Sequence, residues 1–501
     1  MKRRHRPGTP SIHLEHAMSF LGSDWEGKIY INGWTDGGGA PIQVSEPATG
    51  EQLGTLGSAS QQDVARAAGQ AATAQESWQA APPSERAAIL RKAGALWEEH
   101  AGEIHGWIIR ETGAIPPKAA LETAIAAQEC YEAAALPTHP MGDVLASNEP
   151  RWSFARRRPA GVVSVIAPFN FPLILSIRSV APALALGNAV LLKPDPRTAV
   201  SGGVTLVEVF RAAGLPDGLL QLLPGGRETG EATVTAPQVR VVSFTGSTAA
   251  GRAVGALAAQ HLKRAHLELG GNNALIVLPG AELTKAVSAG AFGSFMHQGQ
   301  ICMTTGRHVV HESLHDSYVD ALAATADHLP VGNPAAAQVA LGPIIDKSQL
   351  DKVDGIVQDA VDSGARLAAG GTYEGLFYRP TVLAEVRPEM TAWRDEIFGP
   401  VAPVLPFSDI DEAIAMVRDA DYGLSLGILG EVGQAMRLAD AIPSGIVHIN
   451  EQTVSDEANA PFGGVAASGT GSRFGGAQAN IEAFTETQWL TVRPDIAPYP
   501  F

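Results

Sequence analysis

From about residue 160 onward, short β-branched and aliphatic runs alternate with longer Ala-rich stretches. This alternation predicts parallel strands joined by crossover helices, since a parallel strand buried on both faces is apolar throughout and its return path needs a helix. Strands are expected at 161–167 (GVVSVIA), 189–193 (AVLLK), 239–244 (VRVVSF) and 266–269 (HLEL). Between the first two, LILSIRSVAPALALGN reads as a helix closed by Gly187 and kinked at Pro182. The next crossovers contain VTLVEVFRAAG and ETGEATVT, and Ser247 is a good N-cap for STAAGRAVGALAAQ. A second β/α series starts at 273–278 (NALIVL) and continues through LTKAVSAGAFGSFMHQG, HVVHE, a helix around 317–328, YRPTVLAEV, IFGPVAPVLPF, DEAIAMVRDA and SGIVHIN at 444–450. The expected fold is therefore α/β with two doubly wound units. Segments 137–159 and 484–501 fit neither unit, yet PRWSFARRRP and TETQWLTV can both form strands. Isolated ribbons are unstable, so these strands are expected to pair with each other and with a second subunit.

Length and charge narrow the class. A chain of 501 residues exceeds the ~250–300 residues at which a single core stops growing. The net charge of −16 argues against nucleic acid as a main partner. The start, MKRRHRPGTPSIHLEH, is basic without an apolar run behind it and reads as a flexible extension over 1–26 rather than a secretion signal. No run approaches the ~20 apolar residues of a membrane span. Only Cys130 and Cys302 are present, so no disulfide framework is expected and the cytoplasm is the expected location.

Chemistry gathers around Cys302, in GQICMTTGR on a loop between a helical run and a strand. Lone cysteines are ordinarily inert, and Cys130 on its helix is read that way. Glu268 ends a strand in LELGGNN, between Leu267 and Leu269, where burial would raise its pKa and suit it as a general base. A surface glutamate remains the alternative. Asn170, in PFNFP, is either a turn former or an amide donor to an oxyanion. His297, five residues before Cys302, leaves a Cys302/His297 thiol hydrolase open.

The chain resembles the aldehyde dehydrogenase superfamily from about residue 28 to 495. The motifs are PFNFP with Asn170, LLKP with Lys193, FTGS with Ser247, LELGG with Glu268, GQIC with Cys302, EIFGP with Glu396 and Phe398, and PFGG with Phe462. The resemblance implies that Cys302 attacks the aldehyde, that Asn170 and the Cys302 backbone hold the oxyanion, and that Glu268 activates the hydrolytic water. It also implies Lys193 on the adenosine ribose, Gly246 and Ser247 near the pyrophosphate, and Glu396 on the nicotinamide ribose beside Phe398. NAD or NADP would be the cofactor, with no metal. Many NAD-preferring relatives carry a glutamate three residues after the lysine. Here Pro196 stands there, followed by Arg197, which could attract a 2′-phosphate. Arg473 stands where some relatives carry an auxiliary glutamate, so no second base is assigned.

KPDPRTAVSGG, LELGGNNALIVL and HINEQTV look most like the benzaldehyde and vanillin dehydrogenase branch. The resemblance implies a pocket lined by Phe171, Leu175, Ile301, Met303 and Phe462, suited to an aryl aldehyde. Terpenoid, aliphatic and semialdehyde substrates are the alternatives. Arg178, a turn beyond Leu175, would meet a polar substituent or form a surface or subunit salt bridge. The implied organisation is a dinucleotide-binding domain over 27–136 and 160–268, a catalytic domain over 269–470, and an oligomerisation segment over 137–159 and 484–501. The assembly is expected to be a homo-oligomer, dimer or tetramer, with no membrane partner.

Overall fold

Two seven-stranded sheets organise the computed structural model, which describes residues 19–501. The first runs, in spatial order, Arg264–Glu268, Val239–Thr245, Val162–Ile166, Ala189–Lys193, Leu220–Leu222, Lys28–Tyr30 and Trp34–Asp36. Its first five strands are parallel. Every residue of Val162–Ile166 and Ala189–Lys193 is buried, as helices on both faces require. The last two strands are antiparallel additions. Their pattern is too short and mixed to mark them as strands in the sequence.

From Val162–Ile166 the chain winds one way to Ala189–Lys193 and Leu220–Leu222, then returns to the other side through Val239–Thr245. Crossover helices diverge at such a reversal, and a crevice opens at the strand ends. The expected helix between the first two strands is Pro172–Ala185, with Pro182 inside it and Gly187 at φ +90° just beyond.

The second sheet runs Arg366–Ala369, Thr381–Ala384, Val401–Phe407, Thr305–His311, Asn273–Val277, Ser425–Leu429 and Ile446–Ile449. All its pairings are parallel except that of the edge strand Arg366–Ala369. A third, three-stranded sheet joins Gly142–Val144, Trp152–Pro159 and Thr485–Val492. The latter two pair in antiparallel register from Thr485 opposite Pro159 to Val492 opposite Trp152.

The flexible extension was expected over 1–26, and its described part, from residue 19, is packed. Residues 1–18 lie outside the described residues, but the chain is already packed from Phe20 onward. Phe20 stacks on His100 at 3.8 Å, and Trp25, 2% exposed, meets Trp107 edge-on. Three apolar side chains, Phe20, Leu21 and Trp25, draw this segment onto the core. Among the described residues no helix is long and apolar enough to cross a membrane.

Candidate active site

The loop that carries Cys302 is shaped by an unusual turn. Helix Leu283–Phe295 ends, and His297, Gln298 and Gly299 then take φ of 49°, 57° and 64° in succession. Left-handed backbone costs a non-glycine residue about 1–3 kcal/mol, so the surroundings must hold it. Gln298 Nε2 donates to the carbonyls of Gly113 at 3.0 Å and Pro343 at 2.9 Å. At Gly299 a Cβ would lie 2.1 Å from the Gly399 carbonyl oxygen. The turn delivers Cys302 just before strand Thr305–His311, and Asn273 Nδ2 donates to its carbonyl at 2.8 Å. Among the described residues the Cys302 N–H has no acceptor.

Asn170 follows strand Val162–Ile166 and is 3% exposed. Its Nδ2 donates to the Gln300 carbonyl at 2.9 Å. An amide NH2 carries two hydrogens, so one remains. Glu268 closes strand Arg264–Glu268 and is 2% exposed. Its Oε2 accepts from the Gly464 N–H at 3.1 Å, while among the described residues Oε1 has no partner. The PFGG motif thus folds onto LELGG. The two glycines after Leu269 permit close approach: a Cβ at Gly270 would lie 2.3 Å from Glu396 Oε2, and one at Gly271 2.6 Å from the Cys302 carbonyl oxygen.

Burial dominates the electrostatics here. It pushes the Cys302 thiol up to about 12, helped by the Glu396 and Glu268 carboxylates and opposed by Arg178. It pushes Glu268 up to about 8, against the Gly464 N–H and the charges of Arg473 and Arg178. Glu396 rises to about 7 for the same reason, while its Oε1 accepts from the Gly271 N–H at 3.0 Å.

The five residues named for the pocket, Phe171, Leu175, Ile301, Met303 and Phe462, fall in one buried apolar cluster with Cys302 at its edge. Ile125, Ile174 and Leu424 join them, and nothing in their local sequence marked them out. Arg178 is 3% exposed, ion-paired with Asp456 and 4.4 Å over the Phe462 ring. The expected surface or subunit salt bridge is therefore a buried one within the chain. His297 is 1% exposed and packs edge-on against Phe171, and no hydrogen bond joins it to Cys302. The Cys302/His297 hydrolase loses its pair.

Two adjoining clefts lie at the strand reversal. One, of about 360 Å³, is lined by Phe169, Asn170, Lys193, Gly246, Ser247, Cys302, Glu396 and Phe398. The other, of about 1140 Å³, shares Lys193 and Ser247 and opens between helices Arg227–Thr235 and Thr248–Gln260. Ser247 caps the second helix, its Oγ accepting from the Ala250 N–H at 3.3 Å, so free helical N–H groups face the cleft. Lys193 is 9% exposed, and among the described residues its Nζ has no hydrogen-bond partner. An elongated cleft with a helix N-terminus, an unpaired lysine and a thiol at its far end fits a dinucleotide. Arg197 lines it too, but its guanidinium is bound by Asp195 and Asp346 and lies 4.1 Å over Phe169. The attraction for a 2′-phosphate expected of it is neutralised by those two carboxylates.

Fold and site together define an α/β protein with a cysteine at the inner end of an elongated cleft at the strand reversal. The chain belongs to the aldehyde dehydrogenase family, whose model matches residues 34–490. It is an enzyme that oxidises aldehydes with a nicotinamide cofactor. It is 64% identical to a vanillin dehydrogenase of Amycolatopsis sp., over 97% of this chain and 100% of that one. It is 47% identical to an NAD⁺ benzaldehyde dehydrogenase of Pseudomonas putida, over 95% and 98%. Among solved structures, a salicylaldehyde dehydrogenase from Pseudomonas putida G7 complexed with salicylaldehyde superposes with a TM-score of 0.91. That match has 35% identity and covers 95% of this chain and 99% of the other.

Proposed function

We propose that the protein oxidises an aromatic aldehyde of the benzaldehyde or vanillin kind to its carboxylic acid. The observation that carries this reading is the closed apolar cluster holding Phe171 and Phe462 with Cys302 at its edge. A planar aryl group suits such walls, and a charged semialdehyde does not. The relatives named above act on aldehydes of the same class.

As a thiolate, Cys302 attacks the carbonyl carbon, and the resulting oxyanion takes hydrogen bonds from the remaining Asn170 amide hydrogen and the Cys302 N–H. When bound, the oxidised nicotinamide supplies positive charge near the thiol and an acceptor for the hydride that leaves this carbon. The thioester left on Cys302 is attacked by a water whose proton passes to Glu268 Oε1, and the thiolate is expelled as the acid departs. Lys193 and the Gly246–Ser247 turn would hold the adenosine and pyrophosphate end, and Glu396 the nicotinamide ribose beside Phe398.

Either NAD or NADP is accepted in this reading. Pro196 places no carboxylate where it would repel a 2′-phosphate, and Lys193 Nζ is free to pair with one. The first sheet is the dinucleotide-binding domain and the second the catalytic domain. The three-stranded sheet pairs copies of the chain into a homo-oligomer, with Trp152 and Trp489, 70% and 65% exposed, on its two opposite faces. A cytoplasmic location follows from two unpaired cysteines, one of which must stay reduced.

The test is cofactor reduction with benzaldehyde, vanillin, a short alkanal and succinic semialdehyde, each with NAD and NADP, beside Cys302→Ala. Aryl-selective reduction that vanishes in the variant is expected. Equal rates on all four aldehydes would remove the aromatic assignment, and activity surviving without Cys302 would remove the mechanism.

A further inference from the structure

We propose that the buried Lys118–Glu122 ion pair is a positioning device that aims the Asn170 amide at the aldehyde oxygen. It rests on the reading of Asn170 as an oxyanion donor. Both residues lie one turn apart on helix Pro116–Ala135, and both side chains are 0% exposed. Lys118 Nζ donates to Glu122 and, at 2.7 Å, to the backbone carbonyl of Asn170. It also sits 4.2 Å over the ring of Phe171, the next residue. Glu122 Oε2 accepts from the N–H groups of Leu173 at 3.0 Å and Ile174 at 3.4 Å. These are unpaired donors in the first turn of helix Pro172–Ala185, whose N-cap residue Phe171 has no side-chain acceptor to offer. The carboxylate supplies the cap and complements the helix dipole.

Asn170 is thereby held on three sides. Lys118 fixes its carbonyl, Glu122 fixes the turn that follows, and the Gln300 carbonyl takes one amide hydrogen at 2.9 Å. Gln300 is itself anchored, its Oε1 accepting from the Ile345 N–H at 3.0 Å. One amide hydrogen is left, in a fixed direction, for the oxyanion. A buried ion pair is a poor means of stabilising a core, where apolar side chains of similar volume serve as well or better. Control of the direction of a reacting group is something an apolar pair would not provide.

The test compares the wild-type enzyme, Asn170→Ala and the double variant Lys118→Met/Glu122→Gln, which removes both charges together and leaves no lone buried ion. In single turnovers with enzyme in excess over benzaldehyde, the double variant should reduce the nicotinamide at least tenfold more slowly. Thioester hydrolysis, which forms an oxyanion at the same oxygen, should slow as well, while KM for the aldehyde and cofactor affinity should each change by less than twofold, a separation that general unfolding would not produce. In the Asn170→Ala background the two substitutions should add no further loss. Lys118→Gln/Glu122→Gln, which keeps a neutral donor for the Asn170 carbonyl, should recover most of the rate and guards against a folding defect in the Met variant. An unchanged single-turnover rate in the double variant, with Asn170→Ala slow, overturns the proposal. So does a loss that adds to that of Asn170→Ala. If Asn170→Ala is itself as fast as wild type, the oxyanion reading falls and takes the proposal with it.

Discussion

Burial moves the two groups that the proposed mechanism ionises, Cys302 and Glu268, in the same direction, since both lose water that would stabilise their anions. With Glu268 held up to about 8, the carboxyl is neutral below that pH and a competent base above it. Thioester hydrolysis should therefore rise as pH passes through about 8 and then level off. Glu268→Gln should lower kcat by about 10²–10⁴-fold, the range for general-base catalysis, and leave an acyl adduct on Cys302 visible by intact mass. A wild-type profile and no adduct would show that another group takes the proton. The sign for stability is opposite: a carboxyl raised in the folded state holds its proton more tightly there, so its contribution declines as pH climbs from the ordinary carboxylate range to about 8. A second prediction concerns Pro196. Pro196→Glu would restore a carboxylate near the ribose and should cut kcat/KM for NADP at least about tenfold, or 1.4 kcal/mol. The value for NAD should stay within about threefold, and equal losses for both would mean that the substitution only disturbs the turn.

Elements were readable where one periodicity dominated. The strand expected at 189–193 is Ala189–Lys193, and Ser247 caps helix Thr248–Gln260 as its position suggested. The antiparallel pair Gly39–Ser45 and Gln52–Ser58 was missed because it is half exposed and interrupted by glycine and proline, so neither period stands out. The turn through His297 and Gln298 was also hidden, for nothing in MHQG asks for left-handed backbone before Gly299. Ser247 caps a helix at the cleft proposed for the cofactor, which gives a prediction at this scale. Ser247→Ala should cost about 1 kcal/mol of stability and weaken cofactor binding, whereas Ser247→Gly should cost only a few tenths. Thermal melting with cofactor titration by fluorescence measures both. If Ala and Gly melt alike and cofactor affinity is untouched in each, the cap does not shape the cleft.

Across the whole molecule, strands Trp152–Pro159 and Thr485–Val492 lie more than three hundred positions apart and pair over eight residues. Their sheet exposes Trp152 and Val492 on one face and Trp489 on the other, apolar area unusual for a surface that meets only water. Deleting 485–501 should leave Trp152–Pro159 without its neighbour and yield a smaller species by sedimentation velocity. A truncated chain that sediments as the same oligomer would show that copies meet elsewhere.

By itself the sequence determined the parallel α/β plan, because burial on two faces writes itself into runs of Val, Ile and Leu that need no knowledge of their neighbours. It also set out the seven motifs in order, and with them the residues that the fold gathers around Cys302. Tertiary structure alone decided the pairings of charge. Lys118 and Glu122 stand at i and i+4 with nothing in the local sequence to mark them for burial, and only the packing of helix Pro116–Ala135 under Asn170 buries them. Arg178 finds Asp456 across 278 positions, and Arg197 finds Asp346 across 149, which turns one expected surface cation into a core residue and neutralises the other. The physical reason is that hydrophobic periodicity is local, whereas the cost of burying a charge depends on which distant group the folded chain brings to meet it.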